Sequence, residues 1–309
     1  MSQNRVDAIL KKAASSAGLA VILLLGVTAV WGWTFLGVKD AVEKMPVMDF
    51  LAIRFSIAAV VMILLRPKFV TRLTKRQVWH GAILGTLLGS AYITQTFGLQ
   101  ITTPATAGFI TGMSVVITPI VAWLVLRERI RYTTWIAVAL ATAGLGLLSL
   151  HGWAFGTGEL LVLLCAFCLA WHIIGLSRWT ALHDTYNLAL IQVAVAAIIC
   201  VAAAAPDGIM APPDGTVWAT IFITAVLATV VAFVVQTWAQ KLISSTQTAV
   251  LLTMEPVFAG IFSVWLGGEA MTVRTGIGGG CVIAAMLMVQ LLGNRKARAI
   301  SQGVERLGN

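Results

Sequence analysis

Apolar residues run through this chain in blocks long enough to cross a bilayer, each closed by a short polar or basic segment. A spanning helix needs about 20 mostly apolar residues. That rule places spans at 18–38, 48–65, 79–99, 104–126 and 133–150, and again at 156–178, 186–205, 216–239, 246–267 and 272–292. The pattern predicts an all-α, polytopic membrane protein with ten transmembrane helices. It divides the chain into a cytoplasmic amino-terminal segment 1–17, a transmembrane domain 18–292 and a basic cytoplasmic tail 293–309. In the first segment Val6, Ile9, Leu10 and Ala13 fall at helical spacing. A short helix on the membrane surface and a solvated tail both fit that spacing. The run from Gly18 to Val38 is of spanning length and no small-residue cleavage site follows it, which argues against a cleavable signal.

The pattern repeats. A shift of 141 residues lays Gln95-Thr96 on Gln236-Thr237, Met113 on Met254 and Glu128 on Glu269. A shift of 140 lays Trp31 on Trp171. Repeat one is expected at 18–150 and repeat two at 156–292, each with five spans, an odd number. The two five-helix repeats are therefore inverted, an arrangement that many secondary transporters use to build two alternative gates around one central site.

Composition agrees with a membrane chain. Of 309 residues 59% are hydrophobic and 11% charged, against about 25% charged in soluble domains. The net charge of +9 fits the gathering of Lys and Arg in cytoplasmic loops better than nucleic-acid binding. With the amino terminus inside, only Lys39, Lys44 and Arg274 lie outside and Arg54 lies within a span; the rest of the 21 basic residues are inside. Both termini are then cytoplasmic. Cys165, Cys168, Cys200 and Cys281 sit in apolar runs as packing residues, and no metal-ligand or cofactor motif accompanies them. Gly81, Gly85 and Gly89 on the third span, and Gly276 and Gly280 on the tenth, permit close helix approach. Their expected partners lie inside one functional monomer.

Polar residues inside the spans are the candidates for function, because each is costly in hydrocarbon. Glu255 lies roughly 14 Å into the ninth span at about 1.5 Å per residue, near the midplane. Pro256 beside it removes the helix donor to the Leu252 carbonyl, and broken backbone is tolerated where it lines a cavity. Pro119 is the corresponding expected helix break in the fourth span, where Ser114 matches Glu255. Glu255 fits substrate binding or proton coupling, and equally a structural acid bonded to a neighbouring helix. Arg54 fits a site for a substrate carboxylate, or a structural cation that snorkels outward or pairs with Asp40, Glu43 or Asp49. Trp31 and Trp171, with Gln95 and Gln236, occupy mirrored depths suited to two gates; lipid-facing Trp and interhelical Gln bonds also fit. Trp33 and Tyr92 are placed in an apolar or aromatic-accepting pocket. His172 is read first as a packing residue and second as a proton relay. Glu128 and Glu269 are expected to bond loops.

Several motifs now resemble the drug/metabolite transporter superfamily, in particular its ten-span EamA-type members. "AVWGWTFLGVK" is similar to the family's opening WG…K pattern and "AIRFSIAAV" to its buried arginine-phenylalanine signature. "LAWHIIGLSR" resembles its sixth span, and "TMEPVFAGIFSVWLGGEAMT" its ninth. The resemblance covers residues 18 to 292. Two departures stand out. Pro119 falls four residues later than Pro256 predicts, with Val115 at the matching place. The first span also lacks the buried glutamate that couples protons in the small multidrug-resistance relatives. The resemblance implies a secondary transporter in a bacterial inner membrane. It implies export of small metabolites, such as amino acids, by alternating access, with a drug exporter or a metabolite importer as alternatives on the same scaffold. An intramembrane enzyme would need a paired nucleophile and base or a metal cluster, and His80, His151, His172 and His183 are scattered.

Overall fold

A computed structural model describes residues 3–67, 73–102, 104–127, 130–149, 156–266, 272–274 and 276–289. Among these residues the chain is all helix, with no strand. The helices are α1 (Gln3–Lys44), α2 (Val47–Leu65), α3 (Lys75–Ile101), α4 (Pro104–Gly112), α5 (Ser114–Leu126) and α6 (Tyr132–Ser149). They continue as α7 (Thr157–Trp179), α8 (Thr185–Ala204), α9 (Gly215–Ala225), α10 (Ala232–Ala239), α11 (Ser245–Leu252), α12 (Met254–Leu266) and α13 (Gly276–Val289). Among the described residues six stretches are long and apolar enough to cross a membrane: Ser16–Lys44, Val47–Leu65, Lys75–Ile101, Thr157–Trp179, Thr185–Asp207 and Gly215–Ala239. Shorter apolar helices run over Ile110–Val125, Tyr132–Leu147 and Gly276–Val289. Large apolar side chains such as Leu64, Trp79, Ile198 and Trp265 face outward, as a lipid-embedded surface requires. The expected roles of Glu128, Glu269, His151 and the basic tail fall outside the described residues.

Local chemistry sets where helices begin. Thr74 accepts the Gln77 N–H, Asp184 the Asn187 N–H and Asp214 the Val217 N–H, each satisfying a first-turn donor. Ser244 and Gln247 form a capping box at the start of α11. Before the first span no such punctuation occurs, and the backbone from Gln3 runs on as one helix to Lys44.

Among the described residues two helices are interrupted at matched places. α4 gives way to α5 at Met113 and α11 to α12 at Thr253, positions that differ by the same 140 residues that relate Trp31 and Trp171. The second break lies at the carbonyl side of Pro256, as the missing proline donor predicts. The first is a correction: α5 runs uninterrupted through Pro119, and the chain breaks earlier, at Met113. A third irregularity had no expectation attached. Between α9 and α10, Val226–Val231 form a π turn.

The halves interlock. α3 packs on α7 and α8, α2 on α8, and α1 on α10 and α12. One core cluster gathers around Phe50, Phe55, Met62 and Phe233; another gathers around Leu24, Leu145 and Val282. The α3 glycines permit the first: a Cβ on Gly85 would stand 2.6 Å from the Gln192 carbonyl oxygen of α8. On the tenth span the expectation for Gly280 is corrected. Gly280 faces open space, and close approach there comes instead from Gly278, whose carbonyl would lie 2.7 Å from a Cβ on Gly144.

Candidate functional site

The described elements enclose a large cavity with about 960 Å³ of empty space, its open mouth included. Its walls come from both halves. α1 supplies Trp31 and Thr34, α2 Arg54, and α3 Tyr92 and Gln95. The interrupted segments supply Thr111, Ser114, Leu252, Glu255 and Pro256, so both helix breaks border the cavity. α7 adds Cys165 and His172, and α10 adds Phe233 and Gln236.

Its apolar wall is aromatic. Tyr92 meets Phe55 edge-on at 5.2 Å between ring centroids and Phe233 at 6.2 Å. Trp31 tilts against Phe233 at 5.8 Å. The Trp31 indole N–H donates to the Ala228 carbonyl at 2.8 Å. That acceptor lies in the π turn, where wider backbone spacing leaves carbonyls open to outside donors.

Two charged side chains line the cavity. Arg54 is 3% exposed. Its Nε donates to Thr229 Oγ1 at 3.1 Å, and its guanidinium carbon stands 4.7 Å from the Tyr92 ring centroid. Outward snorkelling and pairing with Asp40, Glu43 or Asp49 are both corrected. Asp49 accepts the Met210 N–H, Glu43 stands beside Lys39, and Asp40 is exposed. The side chain turns inward because Phe55 and Tyr92 offer it aromatic faces. Glu255 is half-buried and forms no ion pair among the described residues.

Polar networks tie α7, α8 and α10 together beside the cavity. Gln240 Nε2 donates to the Ile173 carbonyl and to Ser177 Oγ, both at 2.8 Å, and Gln236 Nε2 donates to Gln240 Oε1 at 3.2 Å. Beside it His172 Nε2 meets Gln192 Oε1 at 2.6 Å, and Gln192 Nε2 donates to Thr237 Oγ1 at 3.2 Å. Gln95 Nε2 donates to Thr111 Oγ1 at 3.1 Å.

The structure thus brings Trp31, Arg54, Tyr92, Gln95, Ser114, His172, Gln236, Glu255 and Pro256 to one cavity. Trp33 and Trp171 do not line it, and their placement is a correction. Trp33 is 37% exposed and Trp171 41%. Trp33 stands about 200° round the helix from Trp31, and Trp171 about 100° from His172, so neither shares its neighbour's facing. Pro119 is buried elsewhere in α5. Sequence reasoning missed Thr111, Thr229 and Phe233. Only Phe233 carried a signal, lying three residues before Gln236 on one helix face. Cys165, read as packing, borders the cavity. No group of three or more metal-ligating side chains occurs among the described residues.

Comparison with known proteins places this architecture. The EamA-like transporter family matches twice, over residues 18–150 and 156–291. An "Uncharacterized transporter" of Archaeoglobus fulgidus is 32% identical over 281 residues, covering 91% of this chain and 87% of its own length. The "Uncharacterized transporter YetK" of Bacillus subtilis is 31% identical over 139 residues, covering 43% of this chain and 42% of its own. A solved crystal structure superposes with a TM-score of 0.76 at 19% identity, covering 91% of this chain and 98% of that one, a likeness of fold alone.

Proposed function

The chain belongs to the EamA-like transporter family, and from that premise we propose that this multi-pass membrane transporter moves small metabolites by alternating access. Amino acids and related compounds are the proposed substrates, and export from the cytoplasm across a bacterial inner membrane is the proposed direction. In this reading ten spans form two inverted repeats, 18–150 and 156–292, with both termini cytoplasmic. The interrupted pairs α4/α5 and α11/α12 are the fourth and ninth spans, with their breaks at the central site.

One observation carries the reading: a single cavity takes polar and aromatic side chains from both halves and is bordered by both helix breaks. Non-helical backbone at membrane depth is tolerated where it lines a cavity, and transporters place their sites there. The lining climbs to Val38 and Leu99, near the ends of α1 and α3. Under the positive-inside orientation those ends are external, so the cavity faces outward, and the Gln240 bonds form its closed cytoplasmic floor. Glu255 stands at the depth of the break, free of an ion-pair partner among the described residues, and is the proposed binding or proton-coupling group.

Flux into proteoliposomes tests this. Saturable movement of panel amino acids or related metabolites, driven by a pH gradient and lost in Glu255→Gln, is expected. Normal gradient-driven flux in Glu255→Gln removes the coupling role. Absence of flux for every amino acid in the panel removes the substrate class.

A further inference from the structure

Arg54 is a permanent cation buried in a membrane-embedded cavity wall. A charge there is costly unless a counter-charge reaches it. Among the described residues no carboxylate lies within ion-pair distance: Glu43 stands beside Lys39, Asp214 pairs with Lys44 and Asp184 with Arg66. Glu255 borders the same cavity but is not in contact range. The protein holds the cation without neutralising it.

It also holds the cation in one pose. Thr229 Oγ1 donates its own proton to the Thr224 carbonyl, five residues back, at 2.8 Å. Its lone pair accepts Arg54 Nε at 3.1 Å. The Tyr92 and Phe55 rings lie 4.7 and 5.5 Å from the guanidinium carbon. Thr229 belongs to the π turn, a helix irregularity frequent at functional sites. One edge of the guanidinium is thereby occupied. The Tyr92 hydroxyl is the guanidinium's other polar neighbour, and the Nη edge, which suits a planar two-oxygen anion, has no carboxylate partner among the described residues.

We propose that the Nη edge of Arg54 is the anion-recognition end of the cavity, so that substrates must present a carboxylate to it, and that Thr229 is the residue that positions it. Trp31, Tyr92 and Phe233 then receive the apolar body of the substrate. This rests on the reading of the cavity as a substrate site, and it adds which end of the substrate is read and by what. A purely structural Arg54 would tie α2 to the π turn through Nε and would be indifferent to the ligand's charge.

Matched acids and amides separate the two. Purified protein is titrated with phenylalanine and phenylalaninamide, leucine and leucinamide, and 3-phenylpropionate and 3-phenylpropanamide, with thermal stabilisation as the readout. In wild type at least one acid is expected to act at concentrations about ten-fold or more below its amide, the reach of a charge-assisted bidentate pair. Arg54→Gln should bring that ratio to one and Arg54→Lys should keep part of it. Thr229→Val should reduce the ratio and Thr229→Ser restore it. This second pair carries the test if Arg54→Gln does not fold. The proposal is overturned if no acid stabilises wild type, if acid and amide act alike, or if the preference survives in folded Arg54→Gln. Binding is read without flux, so the two readings fail separately. Acid-selective binding without transport of any panel member leaves the anion site and removes the transport of these metabolites. Transport of amides as readily as acids leaves the transporter and removes the anion site.

Discussion

Gly32 on α1 lies against the main chain of Glu255 on α12: a Cβ at Gly32 would stand 2.6 Å from the Glu255 carbonyl oxygen and 2.8 Å from the Ala259 nitrogen. Both atoms are backbone and cannot rotate away. Gly32→Ala must therefore push α1 from α12 at the depth where Trp31 and Glu255 border the cavity. The expected cost is that of overpacking, about 1–3 kcal/mol, read as a lowered Tm of the purified protein together with reduced flux. Gly26→Ala is the control on the same helix, since a Cβ there meets nothing within 4 Å. An unchanged Tm in Gly32→Ala would mean that the two helices do not touch.

Gly32 shows what is legible in the sequence. The long apolar runs gave the helices, because a chain in hydrocarbon must satisfy its own backbone bonds. Glu255 and Pro256 could be singled out because an acid and a proline are both costly there. Facing was not legible: Trp31 and Trp33 look alike in sequence, yet helical rotation puts one in the cavity and the other on the surface. Pro119 misled because its ring constrains only its own turn, and α5 absorbs it. The π turn at Val226–Val231 has no composition of its own. Its open carbonyl and its threonine are partnered by Trp31 and Arg54, both far away in sequence.

The cavity floor depends on Gln240, whose amide joins α10 to α7 through Ile173 and Ser177. Gln240→Leu removes these bonds, each worth about 0.5–1.5 kcal/mol. A shift of that size changes a two-state ratio several-fold toward the conformer closed on the mouth side. Leu169 lines the cavity and is half-buried, so Leu169→Cys, with Cys165, Cys168, Cys200 and Cys281 replaced by alanine, supplies a reporter thiol, the native Cys165 being too buried to react. Its labelling by an impermeant thiol reagent from the mouth side should slow several-fold in Gln240→Leu. An equal rate would show that the bonds do not hold this conformer.

His172 is 1% exposed, with Nε2 on Gln192 and Nδ1 without a hydrogen-bond partner among the described residues. A proton relay needs acceptors on both sides of the ring; this ring has one. His172→Phe should strand Gln192 Oε1 and lower stability by about 1–3 kcal/mol. The shape of the flux–pH profile should stay as in wild type. A profile that flattens in the variant would restore the relay.

Outside the membrane, Asp184 joins three elements. It caps α8 at the Asn187 N–H, takes Arg66 Nη1 at 2.8 Å and Nη2 at 3.3 Å, and its backbone carbonyl accepts Gln77 Nε2. Burial pushes its carboxyl up, but the Asn187 N–H and the Arg66 guanidinium outweigh that, and the net direction is down. A carboxyl whose folded value lies below its unfolded one, about 3.9, stabilises the protein fully above that value. The contribution then fades as pH falls through the lower, folded value. Because the side chain is 44% exposed, solvent screening holds the ion pair to under about 1 kcal/mol. Asp184→Asn keeps a cap acceptor and loses the charge. Its Tm should lie slightly below wild type at pH 7, and the two curves should converge below about pH 4. A gap that persists undiminished at pH 3 would mean that the carboxylate charge is not what Arg66 holds.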